Sequence, residues 1–364
     1  MSINRTSVKI GSRTVGDDQP IFLCFEIGPT HDGLENALEL IRKAGAAGVD
    51  GVKLQIVDAD RLVSDKEQLF SYSIINPDSG KFQQKTEPLY QILKRRQLSL
   101  RELEIIAKEI DSMGMEFFAT ISYEEDIKLV RDLGCTSLKI ASADVNHTPL
   151  LRTAARSGMN VQLDTGNSTI EEIGYAVELL ERENCHSIII HHCPSGYPAY
   201  LESISLRTIS QIQKRFIYPV AFSDHSPGID MNIAAVSLGA TLIEKTVTAD
   251  RTTPSVEHCF SLEADQFDLF VLRIRELETA LGAHVARPLS DEQIEARLNL
   301  RRSVFAARSA KAGTGISELK VDYRRPGHGI SPNDWEDFCE VERYLNKDVA
   351  SGEMLSFYMF EDAR

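Results

Sequence analysis

The chain has 364 residues, 42% hydrophobic and 26% charged, the composition of a folded soluble protein with room for a large domain and a small one. Its 54 acidic against 40 basic side chains give a formal net charge of −14, which argues against a nucleic-acid or membrane partner recruited through a basic face. Six widely spaced cysteines form no CxxC pair, and no apolar run has the length of a signal peptide core or a membrane span, so a cytoplasmic protein with buried free thiols is expected.

Residues 8–16 alternate around a glycine turn and predict a small hairpin. From residue 21 a rhythm sets in. Strand signals fall at 21–27, 49–57, 115–120, 136–141, 160–165, 186–193, 219–224 and 241–247. Helical spacing follows each in turn, at 34–47, 100–113, 124–133, 149–157, 170–182, 206–216, 229–238 and 264–281. Several of these strands are preceded by a glycine (Gly48, Gly114, Gly134, Gly158, Gly239) of the kind that stops a helix in the left-handed conformation. Eight βα repeats predict parallel strands closed into a (β/α)8 TIM barrel. The competitor, an open doubly wound sheet, would carry a glycine-rich phosphate fingerprint after its first strand, and the stretch 26–33 lacks that spacing.

The interval 58–99 is too polar and irregular for a plain loop and is expected to cover part of the barrel mouth. The barrel domain is assigned to 1–283 and a polar linker to 284–299. A small β-rich domain is assigned to 300–364, with short strand-like runs and the breakers of Arg325-Pro-Gly-His-Gly-Ile-Ser-Pro332.

In a barrel the C-terminal ends of the strands converge, so residues far apart in sequence form one site. Those ends carry Glu26, Lys53 and Gln55, Thr120, Lys139 and Ser142, Asp164 and Thr165, His192, Cys193 and Ser195, Ser223, Asp224 and His225, then Glu244 and Lys245. Two lysines among hydroxyls suit a phosphate and a carboxylate, lysine giving point charge and hydroxyls giving directed donors. Glu26 and Glu244 are candidate acid/base groups, and His225 a candidate metal ligand or proton carrier. A barrel-end lysine is as often a structural ion-pair partner, and Asp164 can equally cap the following helix. Of the adjacent His191 and His192, at most one can face the barrel interior.

The motifs FEIGPTHDG (25–33), VKLQ (52–55), LKIAS (138–142), CPSGYP (193–198), FSDHSPG (222–228) and IEK (243–245) resemble the sialic acid synthase family, which makes N-acetylneuraminate and related nonulosonic acids from phosphoenolpyruvate. The runs RRSVFAA (301–307) and YRRPGHGIS (323–331) resemble the antifreeze-like SAF domain of that family. The resemblance implies condensation of phosphoenolpyruvate with the aldehyde of an open-chain N-acetylated amino sugar. It implies that Lys53, Thr120, Lys139, Ser142, Ser195 and Ser223 hold phosphoenolpyruvate, that Glu26 and Glu244 serve the developing charge, and that Gln55, Asp144, Tyr197 and Glu257 face the sugar. It further implies a divalent metal, Mn or Mg, on His225, and a domain-swapped homodimer in which Arg325 reaches the partner's sugar.

Four positions depart from the family pattern. Thr246 stands where a second metal histidine is usual, Glu257 where an aspartate is usual, Asp144 where a glutamate is common, and Ser195 where some members have asparagine. These changes lie on the sugar and metal side. An acceptor other than plain N-acetylmannosamine, such as a 2,4-diacetamido-trideoxyhexose, is therefore an equal expectation, with Glu244, His192 or His258 as substitute metal ligands. The rival readings are a 3-deoxy-ulosonate synthase acting on a phosphorylated aldose, a Schiff-base aldolase using a barrel lysine, and a non-catalytic sugar-binding homologue.

Overall fold

Runs of Val, Ile, Leu and Phe bounded by glycine form eight parallel strands whose ladder closes on itself. They are β1 (Phe22–Glu26), β2 (Gly51–Gln55), β3 (Glu116–Ile121), β4 (Ser137–Ile140), β5 (Asn160–Asp164), β6 (Ile188–His192), β7 (Val220–Asp224) and β8 (Leu242–Thr248). Each pairs with the next, and β8 pairs with both β7 and β1, which completes the barrel. The computed structural model describes residues 5–282 and 288–362, and the chain parts into two units after Gly282.

The helices follow the spacing read from the sequence: α1 (Leu34–Ala47), α2 (Leu100–Ser112), α3 (Asp126–Asp132), α4 (Thr148–Arg156), α5 (Ile170–Arg182), α6 (Thr208–Arg215), α7 (Asp230–Ser237) and α8 (Phe267–Leu281). Capping boxes start α2 (Ser99 with Glu102) and α5 (Thr169 with Glu172), and Gly48 at φ 82° ends α1 in the left-handed region. Helix faces such as Ala37, Leu38, Ile41 and Ala44 bury against the outer barrel wall, and the rings of Phe267 and Phe25 stand 4.5 Å apart between α8 and β1.

Inside the barrel the side chains form layers. The lowest is apolar, made by Phe22, Cys24, Phe118, Ile189, Ala221 and Leu242, and the N-terminal hairpin (Val8–Ile10 with Arg13–Val15) packs Val8, Ile10 and Val15 into it. That hairpin plugs the N-terminal end of the barrel. Above it the layers turn polar, so function is directed to the opposite end.

The interval 58–99 is ordered rather than irregular. It holds a short helix (Ala59–Leu62), a hairpin (Leu69–Ile75 with Phe82–Pro88) and a second helix (Leu89–Arg96). Tyr72, Ile74 and Ile92 pack with Val256, and Lys85 donates to the Pro254 carbonyl at 2.6 Å, so the insertion rests on the chain that follows β8.

The C-terminal unit has its own core, with Val304, Ile316, Ile330, Trp335, Leu345, Leu355 and Phe360 buried between two small antiparallel pairs, Ser303–Ala306 with Val321–Arg324 and Arg343–Leu345 with Phe360–Asp362. Much of the stretch expected as a linker is helix: α9 (Asp291–Leu300) starts at a Ser290–Gln293 capping box. Its side chains are exposed, but its Leu298 carbonyl accepts from Gly327 N–H at 2.6 Å, which ties it to the C-terminal unit. Residues 284–287 of that linker lie outside the described residues. Five cysteines are buried free thiols and Cys339 is exposed. Among the described residues no helix is long and apolar enough to cross a membrane.

Asp224 and Lys245, read from the sequence as mouth residues, point outward instead. Their strand neighbours Ser223 and Glu244 face inward, so alternation turns Asp224 and Lys245 toward the helices. There they form an ion pair of 2.6 Å with both groups about 1% exposed or less, supported by Asn232 and Ser226. Lys245→Met leaves a buried carboxylate without its cation, which lowers unfolding free energy by roughly 3–5 kcal/mol in chemical denaturation. A loss below about 1 kcal/mol would show that Asp224 is satisfied without the lysine.

Candidate active site

Register decides which polar residues meet. Lys53 lies opposite Glu26, Thr120 opposite both Gln55 and Lys139, Ser223 opposite Glu244, and Thr246 opposite Glu26. Paired residues of parallel strands project to the same side, so these form the polar layers at the C-terminal end of the barrel.

Six of the residues expected from the sequence form one buried network. Lys139 Nζ donates to both Glu244 oxygens at 2.8 Å and to Ser223 Oγ at 2.8 Å, and it ion-pairs with Asp164 at 2.9 Å. Lys53 Nζ reaches Glu244 Oε1 at 2.6 Å and also contacts Glu26. Glu26 in turn accepts from Gly28 N–H at 2.7 Å. A methyl at Gly28 would lie 2.7 Å from the Gln55 nitrogen, so only glycine lets strands β1 and β2 deliver Glu26 and Gln55 side by side.

Burial lowers the proton affinity of Lys53 despite Glu244 beside it. Burial acts the same way on Lys139, but Asp164 and Glu244 reverse it and the ammonium is held above the ordinary lysine range. Glu244, pressed by Lys139 and Lys53, is held far below the usual carboxylate range against its own desolvation. Lys139 is therefore a cation whose charge is shared with carboxylates, and with Lys53 in contact with Glu244 and Glu26 the pair forms a site that can receive a polyanion.

His191, and not the His192 that the sequence reading placed at the strand ends, is the inward histidine. It is fully buried and faces the interior, with Nδ1 2.9 Å from Ser223 Oγ and Nε2 2.8 Å from Gln162 Oε1. Gln162 donates its amide to Ser137, which donates to Asn160. That chain fixes Nε2 as the protonated nitrogen, so Nδ1 accepts the Ser223 hydroxyl proton while Ser223 accepts from Lys139. Burial, aided by Lys139, pushes His191 down to about 3. His192 turns outward, where Nε2 sits 2.6 Å from the Ile204 carbonyl. Cys193 is buried and its thiol is pushed well up by desolvation, which disqualifies it as a thiolate nucleophile.

The remaining expected residues lie outside this network. Thr120, Ser195 and Gln55 are half-buried. Ser142 opens a short 3-10 turn with Asp144 and packs beside Gly166, where a methyl would approach Ser142 Oγ to 3.2 Å. Burial raises the Asp144 carboxyl above its ordinary value. Tyr197 lays its ring 4.8 Å from that of His225, and Phe260 closes the group at 5.8 Å from His225. Glu257 is buried beside Arg96. Arg325 is exposed in the C-terminal unit.

The donor set does not fit a resident divalent metal. His225 Nδ1 donates to the Pro194 carbonyl at 3.0 Å and leaves Nε2 free, the orientation of a ligand histidine. Its expected substitutes are engaged elsewhere: Glu244 by the lysines, His192 by Ile204, and His258 by the Thr248 hydroxyl at 2.8 Å. Among the described residues no group of three His, Cys, Asp or Glu side chains could hold a cation. Titration of Mn2+ into the protein without substrate should show no saturable heat. Stoichiometric binding would require a ligand set around His225 that these side chains do not form.

Four buried histidines make stability pH-dependent, His192 among them with its proton affinity lowered by burial. Burial holds His31 at about 4, His191 at about 3 and His258 at about 4, below the unfolded value of 6.5. The unfolded chain takes up these protons first, so the stabilisation is complete above pH 6.5 and is lost as pH falls toward 4. Each contributes about 1.4 kcal/mol per pH unit in that window as an upper figure. Urea midpoints at pH 7 and pH 5 check this, and equal midpoints would contradict it.

The NeuB family matches residues 40–286. N,N'-diacetyllegionaminic acid synthase of Legionella pneumophila is 31% identical over 350 residues, covering 95% of this chain and 96% of its own. Pseudaminic acid synthase of Campylobacter jejuni is 29% identical over 341 residues, covering 93% and 96%. The crystal structure of the N-acetylneuraminic acid synthetase of Leptospira borgpetersenii superposes with a TM-score of 0.70 at 27% identity, over 81% of this chain and 98% of the other. The barrel, its polar end and these relatives agree: the chain belongs to the NeuB family of carbon–carbon bond-forming synthases.

Proposed function

We propose that the protein condenses phosphoenolpyruvate with the aldehyde of an open-chain N-acetylated amino sugar, N-acetylmannosamine or a 2,4-diacetamido-trideoxyhexose, giving a nonulosonic acid and phosphate. The observation that carries this reading is the pair of buried lysines, Lys53 and Lys139, joined through Glu244 at the C-terminal end of the barrel. In this reading Lys53, Lys139, Thr120, Ser142, Ser195 and Ser223 hold the phosphate and carboxylate of phosphoenolpyruvate, and the two ammonium groups exchange carboxylate partners for the incoming anion.

C3 of phosphoenolpyruvate forms a bond to the aldehyde carbon, and the aldehyde oxygen takes a proton from the acceptor side, where Tyr197, His225 and Gln55 stand. C2 then carries oxocarbenium character. Glu26, whose Oε2 meets the Lys53 ammonium, faces that charge and takes the proton of the water that adds to C2. The C2–O bond of the phosphate ester then breaks and the C2 hydroxyl proton passes to the departing phosphate, which leaves the ketone. The family's dimer, with Arg325 of one copy contacting the other's acceptor, belongs to the same reading.

The test is phosphate release from phosphoenolpyruvate with a panel of N-acetylated aldoses. Turnover should require both substrates, and Lys139→Met should lower kcat by about 10²-fold or more while far-UV circular dichroism shows a folded barrel. Undiminished turnover in that variant would remove Lys139 from the cradle, and no turnover of the wild type with any acceptor would sink the synthase reading.

A further inference from the structure

The helix Leu89–Arg96 ends in three basic residues with different fates. Lys94 pairs with Asp60, and Arg95 with Glu87, both exposed cations. Arg96 alone turns inward and is 7% exposed. Its NH2 group donates to the Val256 carbonyl at 3.4 Å, and NH1 stands 3.7 Å from Glu257 Oε1, beyond hydrogen-bond distance. Its Nε finds no partner among the described residues.

A guanidinium carries five N–H donors and stays charged when buried, so this one is under-satisfied where an unmet donor is costly. Glu257 is held at φ 74°, a left-handed conformation that a non-glycine residue adopts at an energetic cost, and the loop bearing it accepts from Ser261 Oγ at 2.6 Å. Glu257 lies three residues before Phe260, whose ring stands 6.2 Å from that of Tyr197 and 5.8 Å from that of His225. Arg96 and Glu257 thus stand on the acceptor side of the lysine cluster.

Arg96 and Glu257 cancel as a pair, and burial, with the Arg96 cation beside them, lowers the neighbouring His31 and His258 to about 4. A phosphate dianion would gain no net attraction from the pair and would meet the Glu257 carboxylate. A carbonyl oxygen would satisfy Nε without displacing Glu257.

We propose that Arg96 is an acceptor-binding residue that selects an uncharged, acylamido-bearing sugar: its Nε–H donates to the carbonyl oxygen of an acylamido substituent, and Glu257 accepts from an N–H or hydroxyl of the same molecule. This rests on the synthase reading above. The test compares the wild type, Arg96→Gln and Arg96→Lys on three open-chain acceptors: a 2,4-diacetamido-trideoxyhexose, N-acetylmannosamine and N-acetylmannosamine 6-phosphate. Phosphate release gives kcat/KM, and calorimetry gives acceptor affinity in parallel. The expected order of acceptors is doubly acylated, then singly acylated, then phosphorylated. Arg96→Gln should lose roughly tenfold to hundredfold in kcat/KM on the preferred acceptor and distinctly less on the weaker ones, with KM for phosphoenolpyruvate within about twofold. Arg96→Lys, lacking the fork and Nε, should not restore it.

Equal losses on all acceptors, a matching rise in KM for phosphoenolpyruvate, or preference for the phosphorylated sugar would overturn the proposal. A wild type that binds the acylated sugar without turning it over would sink the synthase reading and leave Arg96 to be judged on affinity. A wild type that does neither overturns both.

Discussion

Glu244 sits between two lysines in a barrel interior that admits almost no water, and much of the site follows from that contact. A carboxylate and two ammonium groups, each about 5% exposed or less, are affordable only together, because removing one strands the others in low dielectric. Asp164, Ser223 and His191 are recruited around Lys139 for the same reason, each taking a lone pair or proton that would otherwise go unmet. Stability and chemistry therefore share residues. The cluster must be tight enough to exist and, under the proposed function, loose enough to trade a carboxylate for a substrate anion.

The layers of the barrel divide these tasks by height. The apolar floor built from Phe22, Phe118, Ile189 and Leu242 supplies packing without polar demands. The lysine layer stands above it, and the aromatic group of Tyr197, His225 and Phe260 lies on the side that the proposed function gives to the acceptor. The Asp224–Lys245 pair, one residue further along the same two strands, belongs to the wall and braces β7 and β8 from behind. Strand alternation alone separates a bracing ion pair from a functional one.

The eight-fold βα rhythm was legible because each strand is a continuous apolar run and each helix an amphipathic one, with glycine between them. The lysines, Glu26 and Glu244 were legible because a charge at the end of an apolar strand has few other uses. His191 was not, since adjacent histidines give no cue to which faces inward until the register with Asp164 and Ala221 is known. Arg96 was hidden for another reason. In a run of three basic residues nothing distinguishes the one that folds inward, and only packing of the 58–99 insertion against Val256 reveals it. The helical part of the presumed linker was missed because its polarity matches a solvated spacer, while its capping box, Ser290 with Gln293, was there to be read.

The plug at the barrel floor bears on the order of events. With Val8, Ile10 and Val15 seated among the lowest side chains, solvent and substrates reach the lysine layer from one end only. Under the proposed function, a small anion held at the lysine layer of a blind-ended well would have to arrive before a larger partner settled above it. A hairpin of a few residues, remote from the polar layers, would then impose an order of binding by closing the other door.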